Sequence, residues 1–425
     1  MTGLVMRAAR CRGEVPVVPS DAHSGLGTAM DHNGAAGDAA RGRPAVRGLA
    51  VVYSADGRGF AHRHERATRA GIAERLAALM GVTFAGEYAP SGRGASPLYF
   101  VPSDTLVGPE AAALGVRGEH DLFGGVVPHL FAATKAITHQ LVRPDAHAPT
   151  GWSHEFGRRV RDIVLRGFAA FTLEDARHAG MILLESGPVR IKPARATGGH
   201  GQTMVTSVAG LEAALGAMDG MELGGCGLVV EEHLADVTTY SVGQVRVADL
   251  VASYYGVQRL TPDNGGASVY GGSDLVVARG GFDALLPLDP PEGARIAVAQ
   301  ARAYDAAATE CFPGLFASRR NYDVARGLDA DGHRRSGVLE QSWRAGGASG
   351  AEIAALEAFR AEPALRVVRA STVEAYGGSV AAPPPHATVY FRGVDERVGP
   401  ITKYALIEPH DDPCRGDRQW YAPNI

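Results

Sequence analysis

A glycine-rich turn between two short apolar strands is the feature that most restricts how this chain can fold. Residues 188–193 predict a strand that carries Lys192, and residues 203–208 predict a second strand that returns as a hairpin. The turn between them contains Gly198, Gly199, His200 and Gly201. Because glycines let backbone N–H groups approach oxygens closely and the lysine supplies charge, the hairpin indicates a phosphate-holding loop. In a chain with 55 glycines, the same pattern is also typical of an ordinary turn.

Lysine is scarce in this sequence. The chain has 42 Lys plus Arg residues, and the lysines among them are Lys135, Lys192 and Lys403. Lysine is a compact point charge on a thin stem, whereas arginine is a broad planar fork, so a narrow phosphate pocket favours lysine. The lysines therefore mark positions where arginine cannot substitute, or they survive by chance. Sequence context favours the first explanation for Lys135 and Lys192 and leaves Lys403 undecided.

The composition is that of an ordinary globular protein and argues against several functions. With 425 residues, 45% of them hydrophobic and 21% charged, the chain suits two to four domains or one composite enzyme core. The formal net charge of −4 gives no basic excess, so we expect neither nucleic acid nor a membrane as a partner. No apolar run approaches the ~18 residues that span a bilayer, and the sequence shows neither a secretion signal nor CxxC spacing. We therefore expect a cytoplasmic protein.

The first part of the chain predicts a tail and a small α/β domain. Residues 1–46 are rich in Gly, Ala, Pro, Asp and Ser without an apolar period, which is typical of a disordered tail. Apolar strands are predicted at 48–53 and 98–101, with a helix between Glu65 and Met80. Strand, helix and strand in this order predict a small open sheet.

Helices and strands are predicted along the rest of the chain. We expect a helix and loop around Lys135, and residues 263–273 are more typical of a loop than of a binding pocket. The basic run 318–321 suits either a substrate pocket or the surface. Further helices are predicted at 155–165, from 172, and at 211–218, 292–310 and 352–359, and strands at 228–232, 240–247, 250–257, 321–325, 338–342, 388–391 and 404–407.

Two carboxylates lie on predicted neighbouring strands. Asp323 falls in the strand at 321–325, and Glu340 ends the apolar part of the strand at 338–342. Such a pair can hold Mg²⁺ between nucleotide phosphates, because Mg²⁺ takes few protein carboxylates and completes its shell with phosphate oxygens. Two solvated carboxylates at a sheet edge are the alternative. The polar cluster that directly follows Glu340 favours a site.

The order of these features resembles the ATP-grasp superfamily, most closely its branch similar to D-alanine–D-alanine ligase, over about residues 131–350. The segments that carry the resemblance are 134–141 around the first lysine, 189–194 around the second lysine, Gly198-Gly199-His200-Gly201 as the phosphate loop, Glu231-Glu232-His233-Leu234 as the adenine hinge, Tyr240-Ser241-Val242 as the next strand, and Asp323 with Glu340 as the metal carboxylates. The resemblance implies an α/β protein with two α+β lobes, an ATP-grasp fold preceded by a small open-sheet α/β domain.

The resemblance also implies a role for each candidate residue. The nucleotide-binding residues would be Lys135, Lys192, Gly198, Gly199, His200, Gly201, Glu231, Glu232 and Leu234. Both lysines would contact the α- and β-phosphates of ATP, and Glu231 would receive the adenine amino group. The ligands of Mg²⁺, for which Mn²⁺ could substitute, would be Asp323, Glu340 and Ser342. Arg344 and Lys192 would be the catalytic residues.

Two positions depart from the resembled branch. An asparagine is expected two residues after the second metal carboxylate, where this chain has Ser342, and Asn321 or Gln341 could compensate. A ribose-binding carboxylate is expected where this chain has Thr239, and Asp236 is nearby but off register. Both departures weaken the assignment to a particular ligase more than they weaken the nucleotide site.

The expected enzyme joins two small molecules. By the resemblance, ATP would activate a carboxylate as an acyl phosphate, and an amine or similar nucleophile would displace phosphate. The alternatives are a phosphotransferase on the same fold and a nucleotide-binding protein without activity. A homodimer is compatible with the resembled fold. The expected divisions are a tail at 1–46, an α/β domain at 47–130, a first lobe at 131–235, a second lobe at 236–362 and a C-terminal extension at 363–425.

Overall fold

Residues 48–55, 60, 62–90, 96–195, 201–218 and 220–408 are described by a computed structural model, except for the side chains of 220–222. Within them, helices α1 to α8 are Arg63–Met80, Gly108–Leu114, His154–Val160, Leu173–Leu184, Val208–Gly216, Gly220–Cys226, Glu292–Cys311 and Ser349–Ala361. Strands β1 to β9 are Leu49–Tyr53, Thr83–Glu87, Leu98–Pro102, Leu106–Val107, Gly125–Val127, Gly167–Ala170, Val189–Pro193, Thr203–Val205 and Leu228–Glu232. Strands β10 to β18 are Ala235–Val247, Leu250–Pro262, Ser268–Arg279, Phe316–Ala317, Arg319–Leu328, Arg334–Ser342, Val367–Tyr376, Thr388–Asp395 and Gly399–Glu408. The predicted tail at 1–46 lies outside the described residues.

The first elements form the predicted open sheet. Strand β1 lies between β2 and β3 and is parallel to both. The connecting helix α1 ends at Gly81, which has φ 70° and donates its N–H to the carbonyls of Ala77 and Ala78. Glycine adopts this left-handed conformation without steric cost, so the chain can reverse there into β2. The predicted strand, helix and strand are confirmed.

A four-stranded antiparallel sheet forms the first lobe, in the order β6, β9, β7, β8. The predicted hairpin on either side of the glycine turn is confirmed as β7 and β8. Apolar side chains of this sheet, including Ile191 and Val230, pack against α4 and α5 through Leu183 and Leu211. This packing fixes β7, and with it Lys192, in the sheet.

An eight-stranded antiparallel sheet forms the second lobe, in the order β15, β14, β10, β11, β12, β16, β18, β17. The predicted strand pair separated by Ala248 and Asp249 is confirmed as β10 and β11. One face packs against α7, where Tyr304 meets Tyr322 of β14. Part of the other face packs against α8 and α1. The strands of the predicted C-terminal extension enlarge this same sheet.

The prediction of a loop at 263–273 is wrong for its second half, which lies in β12. The register shifts where Arg259 pairs with Gly272 and Leu260 with Tyr270, so Gly271 is an extra residue in a bulge. Gly272 has φ 138°, and a Cβ there would lie 2.0 Å from the carbonyl oxygen of Thr372 on β16. The two glycines therefore serve the bulge and the close approach of a neighbouring strand.

The described residues from 48 to 408 form one compact unit by their contacts. The predicted divisions at 130, 235 and 362 remain predictions. Strand β13 pairs with β5 across the first two of them. Among the described helices, none combines the length and the apolar character that crossing a bilayer requires.

Candidate nucleotide and metal site

A cleft of about 640 Å³ lies between the four-stranded sheet and the open part of the eight-stranded sheet. Most of the candidate residues line it, namely Lys192, Glu231, Glu232, Leu234, Asp323, Glu340, Ser342 and Arg344. Lys135 lines a smaller pocket of about 110 Å³ that shares Glu340, Ser342 and Arg344 with the cleft. The fold thus brings together residues that are far apart in the sequence.

Asp323 and Glu340 are direct cross-strand partners on β14 and β15, so their predicted adjacency is confirmed. Lys135 joins them, because its Nζ lies 2.8 Å from Oε2 of Glu340. A short 3-10 helix, Lys135–Thr138, positions this lysine, and the Thr134 side chain caps it by accepting the N–H of Ala136.

Gln341 fixes the segment that carries Lys135. Its side-chain amide donates to the carbonyls of Ala132 and Thr134, at 3.1 and 2.7 Å. Successive strand residues point to opposite faces, so Gln341 faces away from the side occupied by Glu340 and Ser342. The suggestion that Gln341 compensates for Ser342 stays a prediction, and the amide oxygen of Gln341 already accepts the hydroxyl of Tyr304 at 3.2 Å.

The carboxylate pair is poised for a cation. Burial, and then the charge of Glu340, raise the pKa of Asp323 to about 6. Burial opposes ionisation of Glu340 as well, but Lys135, Lys192 and Arg344 hold the pKa of Glu340 below its usual range. Oδ1 of Asp323 is buried and has no hydrogen-bond partner among the described residues. A buried, unpartnered carboxylate oxygen beside a second carboxylate fits a divalent cation such as Mg²⁺.

Lys192 and Glu231 form a second, more enclosed pair. Lys192 Nζ contacts Oε1 of Glu231, and the two side chains are 5% and 2% exposed. Oε2 of Glu231 lies 3.1 Å from Nε2 of His139. Burial alone would raise the pKa of Glu231, but Lys192 and His139 bring it to about 2. His139 stands in the first-lysine segment, yet its contact with Glu231 was not predicted, because the sequence does not show which strand faces it.

In the predicted adenine hinge, Glu232 makes polar contacts and Leu234 makes apolar contacts. Glu232 accepts the backbone N–H of Arg166, the residue before β6, at 2.9 Å, so part of its role is to fix the start of β6 against the end of β9. Leu234 is buried with Leu165 and Ala325. Together they form an apolar surface beside the carboxylates, suited to the flat face of a base.

Arg319 is buried, so placing the run 318–321 on the surface is wrong. Its guanidinium is fully buried against Glu352 of α8, with Nη2 2.7 Å from Oε1. Nη1 also donates to the carbonyls of Ser342 and Arg344, at 3.1 and 2.5 Å. Burial opposes the charge, but Glu352 raises the pKa of Arg319 above its usual range. Arg319 thereby fixes the backbone that presents Ser342 and Arg344.

Asn321 and Thr239 line the cleft, but Asp236 does not. Asn321 lines the cleft opposite Ser342 and donates to Oγ of Ser241 at 2.9 Å. Its amide oxygen is thus on the correct face to assist Ser342. Thr239 lines the cleft, whereas Asp236 is exposed and is not part of its wall.

The predicted glycine loop is only partly described. Gly198, Gly199 and His200 lie outside the described residues. Gly201 adopts φ 69° in a turn, and Gln202, the next residue, lines the cleft and accepts from Arg190 at 3.3 Å. The roles assigned to the loop remain predictions.

The sequence leaves the role of Lys403 open, and in the structure this lysine also lines the cleft. It lies on β18, opposite Glu374 of β16. The scarcity of lysine, with three among 42 basic residues, is the one feature of the sequence that could have marked Lys403 as a cleft residue. Lys403 lies far along the chain from the other candidate residues, so the sequence does not show that it shares their cleft.

Two α+β lobes enclosing a cleft, the antiparallel hairpin of β7 and β8 in the first lobe and paired carboxylates on adjacent strands of the second define the ATP-grasp fold. The predicted fold class is confirmed. The family described as "Protein of unknown function (DUF3182)" matches residues 52–405, so the chain belongs to that family. No curated protein matches the sequence.

Solved structures are similar over most of the chain. N5-carboxyaminoimidazole synthase from Aspergillus clavatus, in complex with ADP and 5-aminoimidazole ribonucleotide, is 13% identical with a TM-score of 0.47, covering 86% of this chain and 94% of that one. Phosphoribosylamine–glycine ligase from Thermotoga maritima is 16% identical with a TM-score of 0.46, covering 84% and 91%. D-alanyl-alanine synthetase A from Vibrio cholerae is 11% identical with a TM-score of 0.42, covering 70% and 89%.

Proposed function

We propose that this protein is an ATP-dependent ligase that joins a small-molecule carboxylate to an amine and requires Mg²⁺. The observation that carries the proposal is the cluster of Lys135, Glu340 and Asp323, with its unpartnered carboxylate oxygen. A lysine beside two carboxylates offers cationic and anionic groups to the same phosphates, one directly and the other through a metal ion.

Asp323, Glu340 and Ser342 would hold Mg²⁺, and Mn²⁺ could take its place. When bound, the ion supplies positive charge to the phosphate oxygens of ATP. Asn321 lies opposite Ser342 and offers a further neutral oxygen on the same face.

The protein's own groups position the nucleotide. Lys135 and Lys192 would balance phosphate charge, and Glu231 with Leu234 would receive the adenine. Lys192 contacts Glu231 here, so the group that neutralises phosphate and the group that receives the base support each other. Their fixed arrangement lowers the reorganisation needed when the reaction begins.

The reaction has two displacements. A substrate carboxylate oxygen attacks the γ-phosphorus of ATP, the bond to the β-phosphate oxygen breaks, and ADP leaves. The amine nitrogen then attacks the acyl carbon, phosphate leaves with the C–O bonding electrons, and the nitrogen loses a proton. Arg344 would stabilise the charge on the transferred phosphoryl group, since its backbone is fixed by Arg319 and its side chain lines the cleft.

Nucleotide accounting tests the proposal. The full chain is incubated with Mg·ATP and pools of carboxylates, amines or both, while ADP, free phosphate and phosphorylated product are measured. We expect stoichiometric ADP and free phosphate when both substrate types are present, and little when either is missing. Phosphate retained on a single substrate would indicate a phosphotransferase, and no turnover with any pool would contradict the enzyme assignment.

A further inference from the structure

The cleft extends beyond the residues assigned to ATP and Mg²⁺. Asp323 and Glu340, here called the metal pair, lie on β14 and β15 at one end of the eight-stranded sheet. Lys403 lines the cleft from β18, near the other end. Five strand-to-strand steps separate β14 from β18, or about 24 Å along the sheet at ~4.8 Å per step. A nucleotide held at the metal pair therefore leaves the end at β16–β18 open to a second molecule.

Lys403 is held in a polar site between a sheet and a helix. Its Nζ lies 2.9 Å from Oε1 of Glu374 and 3.4 Å from Nδ1 of His64 on α1. The side chains of Lys403 and Glu374 are 12% and 15% exposed, so each is largely enclosed while reaching the cleft. Burial, with the charge of Lys403, lowers the pKa of His64 to about 4, so this imidazole is neutral at neutral pH.

Asp395, at the end of β17, fixes the helix against the lysine strand. Its carboxylate accepts the backbone N–H groups of His64, Arg397 and Val398, at 3.1, 3.0 and 3.3 Å. The start of α1 is thereby joined to the β17–β18 turn. His64 and Lys403 are thus held together before any ligand binds.

The charges select a ligand class. Among the described residues, Glu374 and His64 are the contacts of the Lys403 ammonium, which leaves one of its three N–H donors for a ligand. A simple anion is repelled by Glu374, and a simple amine is repelled by Lys403. A zwitterion satisfies both, with its carboxylate toward Lys403 and its ammonium toward Glu374.

The sequence supports a binding role for this position independently. Lys403 is one of three lysines among 42 basic residues, and the other two lie at the proposed nucleotide site. A lysine ammonium fits between Glu374 and His64 as a point charge, whereas a planar guanidinium needs a wider space.

We infer that the end of the cleft at β16–β18 is a second substrate site, which binds the free α-amino-acid group of an elongated substrate through Lys403 and Glu374. The inference rests on the proposed function, because the other end of this substrate would extend toward the Asp323 and Glu340 pair and react there. It adds to that function the chemical class of one substrate and the residues that recognise it.

Thermal shift and calorimetric titration of the full chain test the inference. The probes are the twenty standard amino acids and γ-glutamyl dipeptides, which keep one α-amino-acid group free. We expect at least one probe to raise the melting temperature, and its N-acetyl and α-amide derivatives to bind at least about tenfold more weakly. Lys403→Met should weaken the effective probe by about ten- to hundredfold.

Controls separate this site from the nucleotide site and from folding. Arg392→Met removes one positive charge from the exposed surface of the neighbouring strand and should leave probe affinity unchanged. Lys403→Arg retains the charge, so it tests the shape of the site if the methionine variant fails to fold, and it should also lose affinity. The Mg·ATP thermal shift should persist in both Lys403 variants. Its absence in the wild type would contradict the proposed function, whereas no response to any probe, or full affinity in a folded Lys403 variant, would overturn the inference.

Discussion

The two lysine–carboxylate pairs of the cleft have the same chemistry but different surroundings. Lys192 and Glu231 are 5% and 2% exposed, and His139 occupies the second oxygen of Glu231. Lys135 is also buried, but its partner Glu340 is 31% exposed and stands beside Asp323, whose Oδ1 is unpartnered among the described residues. We call the first pair closed, because both oxygens of its carboxylate have protein partners, and the second pair open, because an unpartnered carboxylate oxygen lies beside it. The difference teaches that a ligand reaching the closed pair must share an existing contact, whereas a ligand reaching the open pair finds an oxygen that no described residue occupies.

Breaking the closed pair should give the largest effect on folding. Glu231→Ala leaves Lys192 and His139 buried without their carboxylate, and we expect the free energy of unfolding to fall by about 3–5 kcal/mol. Denaturant titration measures it. Glu232→Ala is the matched control on the same strand, with an expected loss of about 1 kcal/mol for one hydrogen bond and a partly exposed ion pair with Arg335. Equal losses would show that Glu231 has no special partnership.

Removing the lysine of the closed pair should chiefly affect nucleotide binding. Mg·ATP should raise the melting temperature of the wild type, and Lys192→Ala should abolish most of that rise, measured from the variant's own melting point. The reason is the loss of a charged contact to phosphate, worth about 1.5–3 kcal/mol. Arg177→Ala removes an exposed cation of the same lobe and should retain the full rise. A full rise in Lys192→Ala would exclude this lysine from the site.

Asp323, beside the open pair, should make the stability of the protein depend on pH. The folded-state pKa of Asp323 is about 6, above the ordinary 3.8, so the folded protein binds its proton more tightly than the unfolded chain does. Stability in the absence of metal should therefore fall as the pH rises from about 4 to 6, by about 1–2 kcal/mol. Asp323→Asn should flatten that slope, raise the melting temperature at pH 7 and abolish stabilisation by Mg²⁺. An unchanged slope would place the titrating group elsewhere.

Neutralising Glu340, the carboxylate of the open pair, should have the smallest effect on folding. Glu340→Gln retains an acceptor for Lys135, and the side chain is partly exposed, so we expect a stability change of about 1 kcal/mol or less. The concentration of Mg²⁺ needed for nucleotide binding should nevertheless rise severalfold. Comparable losses of folding and of metal dependence would make Glu340 structural.

Local patterns predicted what adjacent residues determine, and they did not predict what distant strands bring together. Apolar periodicity and turns were sufficient for β7, β8, β10, β11 and α7. The adjacency of Asp323 and Glu340 followed from one turn between two strands. The strand β12 was missed because Gly271 and Gly272 are typical of a loop, although here they serve a bulge and a close strand contact.

Contacts between distant segments could not be predicted, because they form only when the folded chain packs those segments together. Arg319 was compatible with the surface because its partner Glu352 lies on a later helix, and only packing pairs the two charges. Lys403 meets His64 through the join between α1 and β18, which no local pattern encodes.

Calorimetric titration of the wild-type chain with a non-hydrolysable ATP analogue, with and without Mg²⁺, tests the nucleotide and metal site most directly. We expect one analogue to bind per chain with an affinity that depends on Mg²⁺, and Glu340→Gln to lose most of that dependence. Absence of binding at millimolar Mg²⁺ and analogue, or binding unaffected by Mg²⁺ in the wild type, would contradict the site formed by Lys135, Lys192, Asp323 and Glu340.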